Sequence, residues 1–186
     1  MTRKLLLALL LPGIAVQAQS VPSNTGNCLS AQEAELATSI NAYRAANGLA
    51  PVAVSRWLST TGQWHAWDLA ANNPVGGSCN MHSWSGARPG QWNAVCYPPS
   101  GAAGMWNKPR EISGLVYNSN GYENVAADFG TITAATALTL WQNSPTHADV
   151  ILNRGPWAGQ SWLGMGVGLV GGYAVCLLYT SPSPRD

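Results

Sequence analysis

The stretch WQNSPTHADVILN, residues 141–153, sets the layout of the C-terminal half. A polar turn runs into Pro145, and a short apolar-spaced helix is predicted to follow at once, carrying His147. The first turn of a helix holds partial positive charge and disfavours an imidazolium. The chain has only 3 histidines. His147 is therefore either an ordinary surface residue, or a ring held neutral with a nitrogen free to accept a hydrogen bond or a metal.

Upstream of this stretch, Ala134, Ala137, Leu138 and Trp141 fall at i, i+3, i+4, i+7 and predict a helix after FGT. Downstream, WLGMGVGLVGGYAV alternates glycine with apolar residues around Gly171-Gly172, the pattern of a β-hairpin. The first helix is expected in SAQEAELATSINAYRAANG, with Ser30 and Glu33 as a capping box, Leu36, Ile40 and Tyr43 on one face, and Gly48 as the stop. A second helix, capped by Ser55, places Leu58, Gly62, His65 and Leu69 on one stripe and ends at Asn72-Asn73-Pro74. Residues 75–122 lack periodicity, and only GLVY (residues 114–117) suggests a short strand. An irregular run of that length is commonly functional or tied by a disulfide. Helices, an irregular stretch, then helices and strands make an α+β layout.

Both ends fall outside this scheme. Arg3 and Lys4 precede an apolar run to Val16, and VQAQS offers small residues for cleavage after Ala18, so residues 1–18 have the pattern of a secretory signal peptide and 19–29 form an N-terminal segment. The run is too short to span a bilayer. CLLYTSPSPRD, residues 176–186, matches the translation of one frame of a common transposon-based sequencing adapter. It is expected to be an artefact that packs poorly from Leu177 onward, which puts the domain at 30–175. Cys28, Cys79 and Cys96 then remain, leaving one thiol over. Cys79 and Cys96 flank one irregular segment and are the favoured pair, though spacing alone does not decide connectivity.

Charged residues make up 9% of the chain, with a formal net charge of +1, and there is no basic patch of the kind nucleic acid requires. The 9 tryptophans suit a Trp-heavy core, or else a sugar-stacking surface. His65, on the apolar stripe, reads as a core histidine lying outside any site. His82, in CNMHSWS beside Cys79, is a loop histidine and a site candidate. Glu123, in NGYENVA, should start a strand or line a cleft. If His82, Glu123 and His147 converge, they form a plausible first shell for zinc or a similar divalent ion. There is no G-x-S-x-G, H-E-x-x-H or P-loop.

INAYRAANGLAPV, HAWDLA, MHSWS, GYENVA and WQNSPTHADVILN, followed by GMGVG, occur in an order that resembles the CAP superfamily of cysteine-rich secretory, antigen 5 and pathogenesis-related proteins, closest to its bacterial-type secreted members. The resemblance implies an α-β-α sandwich with a central antiparallel sheet. It also implies a cleft of two histidines and two glutamates, sometimes with a divalent metal. The first histidine falls on His82, the G-E-N glutamate on Glu123 (here YEN) and the second histidine on His147. The second glutamate position holds Ser144, so one carboxylate is missing, and Glu111 is better explained as an ion-paired loop residue than as its replacement. The expectation is a secreted binding module with lipid, sterol or a surface as ligand. The rivals are a metal-dependent hydrolase using His82, Glu123 and His147, and a carbohydrate- or surface-binding Trp-rich module.

Overall fold

The structure, a computed structural model, describes residues 29–182. The signal-like segment, Cys28 and the last four residues lie outside the described residues. Helix α1 (Ala31–Ala46) starts at the expected capping box: Glu33 N–H donates to Ser30 Oγ at 3.2 Å and Ser30 N–H donates to Glu33 Oε2 at 2.7 Å. The Glu33 carboxylate also accepts from Gln63 Nε2 and Leu169 N–H, each at 3.1 Å, so a single cap residue ties α1 to a second helix and to the sheet. Helix α2 (Arg56–Asn72) is capped by Ser55 and ends as predicted, with Asn73 in the left-handed region at φ 44. Short α3 (Ala102–Trp106) and α4 (Lys108–Ile112) follow, then β1 (Gly121–Ala127), α5 (Ala134–Gln142), α6 (Pro145–Ile151), a 3-10 turn, and the hairpin of β2 (Gly164–Val170) and β3 (Tyr173–Tyr179).

The three strands form one antiparallel sheet in the order β1-β3-β2. Its two faces are separated by the period-2 alternation of β3. Ala174, Cys176 and Leu178 pack with Leu36, Ile40, Ala137, Trp141 and Ile151 of α1, α5 and α6. Val175, Leu177 and Tyr179 pack on Leu58, Ala66 and Leu69 of α2. The result is the α-β-α sandwich of an α+β fold. Helix α2 lies almost directly on the backbone of β2. A Cβ added to Gly166 would land on the backbone of Leu58 and Ser59, and one on Gly168 on that of Gly62 and Gln63. Gly166→Ala is therefore expected to lift α2 from the sheet and cost about 1–3 kcal/mol, read as a lower denaturant midpoint at unchanged slope. An unchanged midpoint would contradict the close approach.

Two expectations need correction. GLVY is not a strand: Leu115 stands at φ 74 in a turn after α4, a conformation that breaks extended chain, and Tyr117 turns inward to donate to Ser181 C=O at 2.7 Å. The chain from Cys176 does not pack poorly either. Cys176, Leu177, Leu178 and Tyr179 are 0–2% exposed in the central strand of the sheet, and the domain runs at least through Tyr179. A strand covered on both faces needs a continuous apolar run rather than alternation, and CLLY supplies one whatever encodes it. Burial pushes the Cys176 thiol up to about 12, so it remains an inert core residue.

Candidate functional site

Residues 75–101 fold into a layer that closes over α2. A disulfide joins Cys79 to Cys96, as favoured from the sequence. Asp68 of α2, fully buried, accepts from Ser85 N–H at 2.7 Å and from Ser85 Oγ and Asn72 Nδ2, which fixes the loop after His82. Trp64, Trp84 and Trp92 fill the space beneath it. All nine tryptophans of the chain are buried or half-buried.

His82 on this loop and Glu123 on β1 meet at the edge of the sheet: His82 Nδ1 lies 2.8 Å from Glu123 Oε1. The other carboxylate oxygen is taken as well. His65 Nδ1, from the centre of α2, lies 2.7 Å from Glu123 Oε2. The expectation that His65 stays outside the constellation is therefore overturned. It is a core histidine at 0% exposure, but its partner is the site's only carboxylate. His65 Nε2 lies 3.0 Å from Ser83 C=O, a group that can only accept. With an ionised carboxylate on one nitrogen and a carbonyl on the other, both nitrogens must donate. His65 is an imidazolium, stacked on Trp84 with ring centroids 4.3 Å apart.

Burial alone would raise the Glu123 carboxyl, but the charge and hydrogen bond of His65, with those of His82, outweigh it and bring Glu123 from an ordinary 4.5 down to about 2. A depressed carboxylate contributes stability that is complete above about pH 4.5 and is lost as pH falls towards about 2, because the unfolded chain then binds the extra proton. Acid titration of the denaturant midpoint should fall across that window, and Glu123→Gln should flatten it. An unchanged slope in the variant would count against the pairing.

The opposite wall comes from α6. Ser144 stands at the N-cap position without a side-chain capping bond and Pro145 begins the helix, which leaves His147 half-buried in its first turn. His147, His82 and Glu123 line one cleft of about 200 Å³ together with Tyr97, Met105, Tyr122, Asn124, Thr146, Val150 and Trp157. Burial first, and the nearby His82 second, hold the His147 imidazole below its ordinary value, so the ring is neutral at pH 7. Ser144 is not among the residues that line the cleft. Glu111 lies elsewhere, paired with Lys108 at 2.8 Å and accepting from Asn93 N–H at 2.9 Å.

The set His82, Glu123 and His147 does not fit a three-ligand ion site. Both Glu123 oxygens already accept from imidazoles, and among the described residues no group of three or more His, Cys, Asp or Glu is placed to hold a metal. Sequence reasoning missed His65, Tyr97, Asn124 and Trp157. For His65 a signal existed: two ionisable side chains, His65 and Asp68, share the buried side of one helix, and each needs a partner.

Comparisons place this geometry among known proteins. The description of the cysteine-rich secretory protein family (CAP) matches residues 38–167. An extracellular protein containing a SCP domain from Bacillus anthracis str. Ames superposes with a TM-score of 0.56 at 17% identity, over 84% of this chain and 45% of that one. A cysteine-rich secretory protein from Staphylococcus aureus subsp. aureus Mu50 gives 0.53 at 14% identity, over 81% of this chain and 38% of that one. The chain thus spans less than half the length of either, and at these identities the likeness is one of fold. No curated protein matches.

Proposed function

The chain belongs to the cysteine-rich secretory protein family, and from that footing we propose that it is an exported domain whose cleft holds a ligand without transforming it. The observation that carries this reading is the double occupation of Glu123. The rival hydrolase would need Glu123 as the general base towards a bound water. Here each of its oxygens pairs with an imidazole, His65 on one and His82 on the other, and these pairings lower the basicity of the carboxylate. Among the described residues no helix is long and apolar enough to cross a membrane. Export is supported by the signal-like N-terminus and by the extracellular and secretory descriptions of the two structural neighbours. A sterol or lipid would place its head group, not its whole body, in a cleft of about 200 Å³, since sites that enclose a drug-sized ligand run to roughly 300–1,000 Å³. The Trp-rich carbohydrate-binding rival has less support, because the tryptophans are buried or half-buried rather than presented as an exposed stacking face.

The test is a screen of the protein against peptide, ester and glycan substrates with and without zinc, beside titrations with sterols and fatty acids. Saturable binding without turnover is expected. Zinc-dependent turnover abolished by Glu123→Gln would overturn the reading in favour of the hydrolase.

A further inference from the structure

Two ring clusters line the cleft, and each is fixed by its own packing. Tyr122, on β1, packs against Trp106, Trp157 and Trp162 with ring centroids 6.1, 5.5 and 5.8 Å away, the first two contacts being edge-on. Three indoles around one phenol leave Tyr122 little room to turn. Tyr97 belongs to the disulfide-tied layer and sits edge-on to the His82 ring at 5.5 Å. Its backbone is pinned as well. Tyr97 N–H donates to Ser83 Oγ at 3.0 Å, Tyr97 C=O accepts from Asn80 N–H at 2.8 Å, and the preceding Cys96 is in the disulfide. Rings held in this way form a preorganised surface, so a ligand need not spend affinity on ordering them.

Charge in the cleft offers little to an ionic head group. No lysine or arginine lines it, and its single carboxylate, Glu123, already pairs with His65 and His82. An anion meets no guanidinium or ammonium there, and a cation meets no unpaired carboxylate. Met105 and Val150, both buried, contribute apolar surface. Size selects further. An apolar cavity of about 150 Å³ accepts benzene, so a cleft of about 200 Å³ suits one six-membered ring and not a sterol body. Among groups of that size an aryl ring gains most. Edge-on and offset aromatic pairs are worth more than their buried area, and a thioether adds a favourable contact with a ring.

We propose that the cleft is a receptor for an aromatic ring, taken up among Tyr97, Tyr122 and Trp157 with Met105 and Val150 as apolar contacts. This deepens, and rests on, the reading that the cleft holds a ligand without transforming it. It names the buried part of that ligand as an aryl group rather than an ionic head group.

The experiment uses the wild-type protein at pH 7, titrated by calorimetry and by NMR with benzyl alcohol, cyclohexylmethanol and butyrate. The first two share a carbon skeleton and differ in aromaticity, and butyrate carries the carboxylate of a fatty acid. Benzyl alcohol should bind saturably, with nuclear Overhauser contacts from its ring protons to the Met105 and Val150 methyls. Cyclohexylmethanol should bind about two- to tenfold more weakly, the margin of an aromatic contact, and butyrate more weakly still. Trp157→Leu should weaken benzyl alcohol several-fold, and Trp157→Phe, which keeps a ring, should restore most of the loss. If Trp157→Leu does not fold, Tyr97→Leu against Tyr97→Phe makes the same comparison. N-acetyl-phenylalaninamide separates the sources: tighter binding than benzyl alcohol assigns the ring to a peptide side chain, weaker binding to a free small molecule, and both support the proposal. Cyclohexylmethanol or butyrate binding as tightly as benzyl alcohol overturns it. So do contacts that map outside the cleft, a folded leucine variant with wild-type affinity, or no saturable binding of benzyl alcohol. None of those results touches the reading of a non-catalytic cleft, which only turnover overturns.

Discussion

Replacing His65 with leucine is expected to cost about 3–5 kcal/mol, because it strands a buried carboxylate. The Glu123 side chain is 1% exposed and that of His65 is 0% exposed, so water cannot replace the lost partner. His82, with a side chain 22% exposed, would remain as the only imidazole on Glu123. In thermal unfolding the variant should lose roughly 10 °C or more for a domain of this size. The informative companion is His65→Leu with Glu123→Leu. Removing both members of a buried pair is far less costly than removing one, so the double variant should recover much of the loss and reveal a coupling between the sites. If the single variant unfolds at the wild-type temperature, the imidazolium–carboxylate pair does not exist as described.

Trp141→Ala should cost a similar 3–5 kcal/mol by a different route. The indole is 0% exposed among Leu36, Ile40, Ala137 and Ile151, where α1, α5 and α6 meet the sheet. Its Nε1 has no hydrogen-bond partner among the described residues, so truncation removes packing alone. Because α6 carries His147, the resulting cavity should also loosen the cleft wall. Hydrogen exchange ought to rise in α6 before it rises in α2, which packs on the other face of the sheet. A loss below 1 kcal/mol would mean that the core collapses freely around the gap.

Periodicity made the long elements legible. Helices α1 and α5 bury one stripe each, α2 buries its apolar stripe on the sheet and more of its surface beneath residues 75–101, and the hairpin turns at Gly171-Gly172 where the glycines permit it. The caps at Ser30 and Ser55 were equally plain, since a hydroxyl before an apolar stripe has few other uses. Helices α3 and α4 were not legible: five residues each complete little more than one turn and show no period. Residues 176–179 were excluded, with the rest of 176–186, for their resemblance to adapter sequence, although their apolar run fits a strand buried on both faces. At the site, His82, Glu123 and His147 were singled out from their own sequence contexts, the family resemblance then grouped them, and they line one cleft. The role of His65 was only half legible: its place on a buried stripe beside Asp68 called for a partner, but nothing in the stripe says whether that partner is a backbone carbonyl or a carboxylate 58 residues away.

The central claim is that Glu123 is an ionised carboxylate held by two imidazoles, and side-chain NMR of the histidines and of Glu123 tests it most directly. At pH 7 the His65 ring should carry protons on both nitrogens, His82 should carry a proton on Nδ1, and the Glu123 carboxyl carbon should report the ionised form until the pH nears about 2. A His82 ring protonated only at Nε2, or a Glu123 carboxyl that titrates near an ordinary 4.5, would contradict the account.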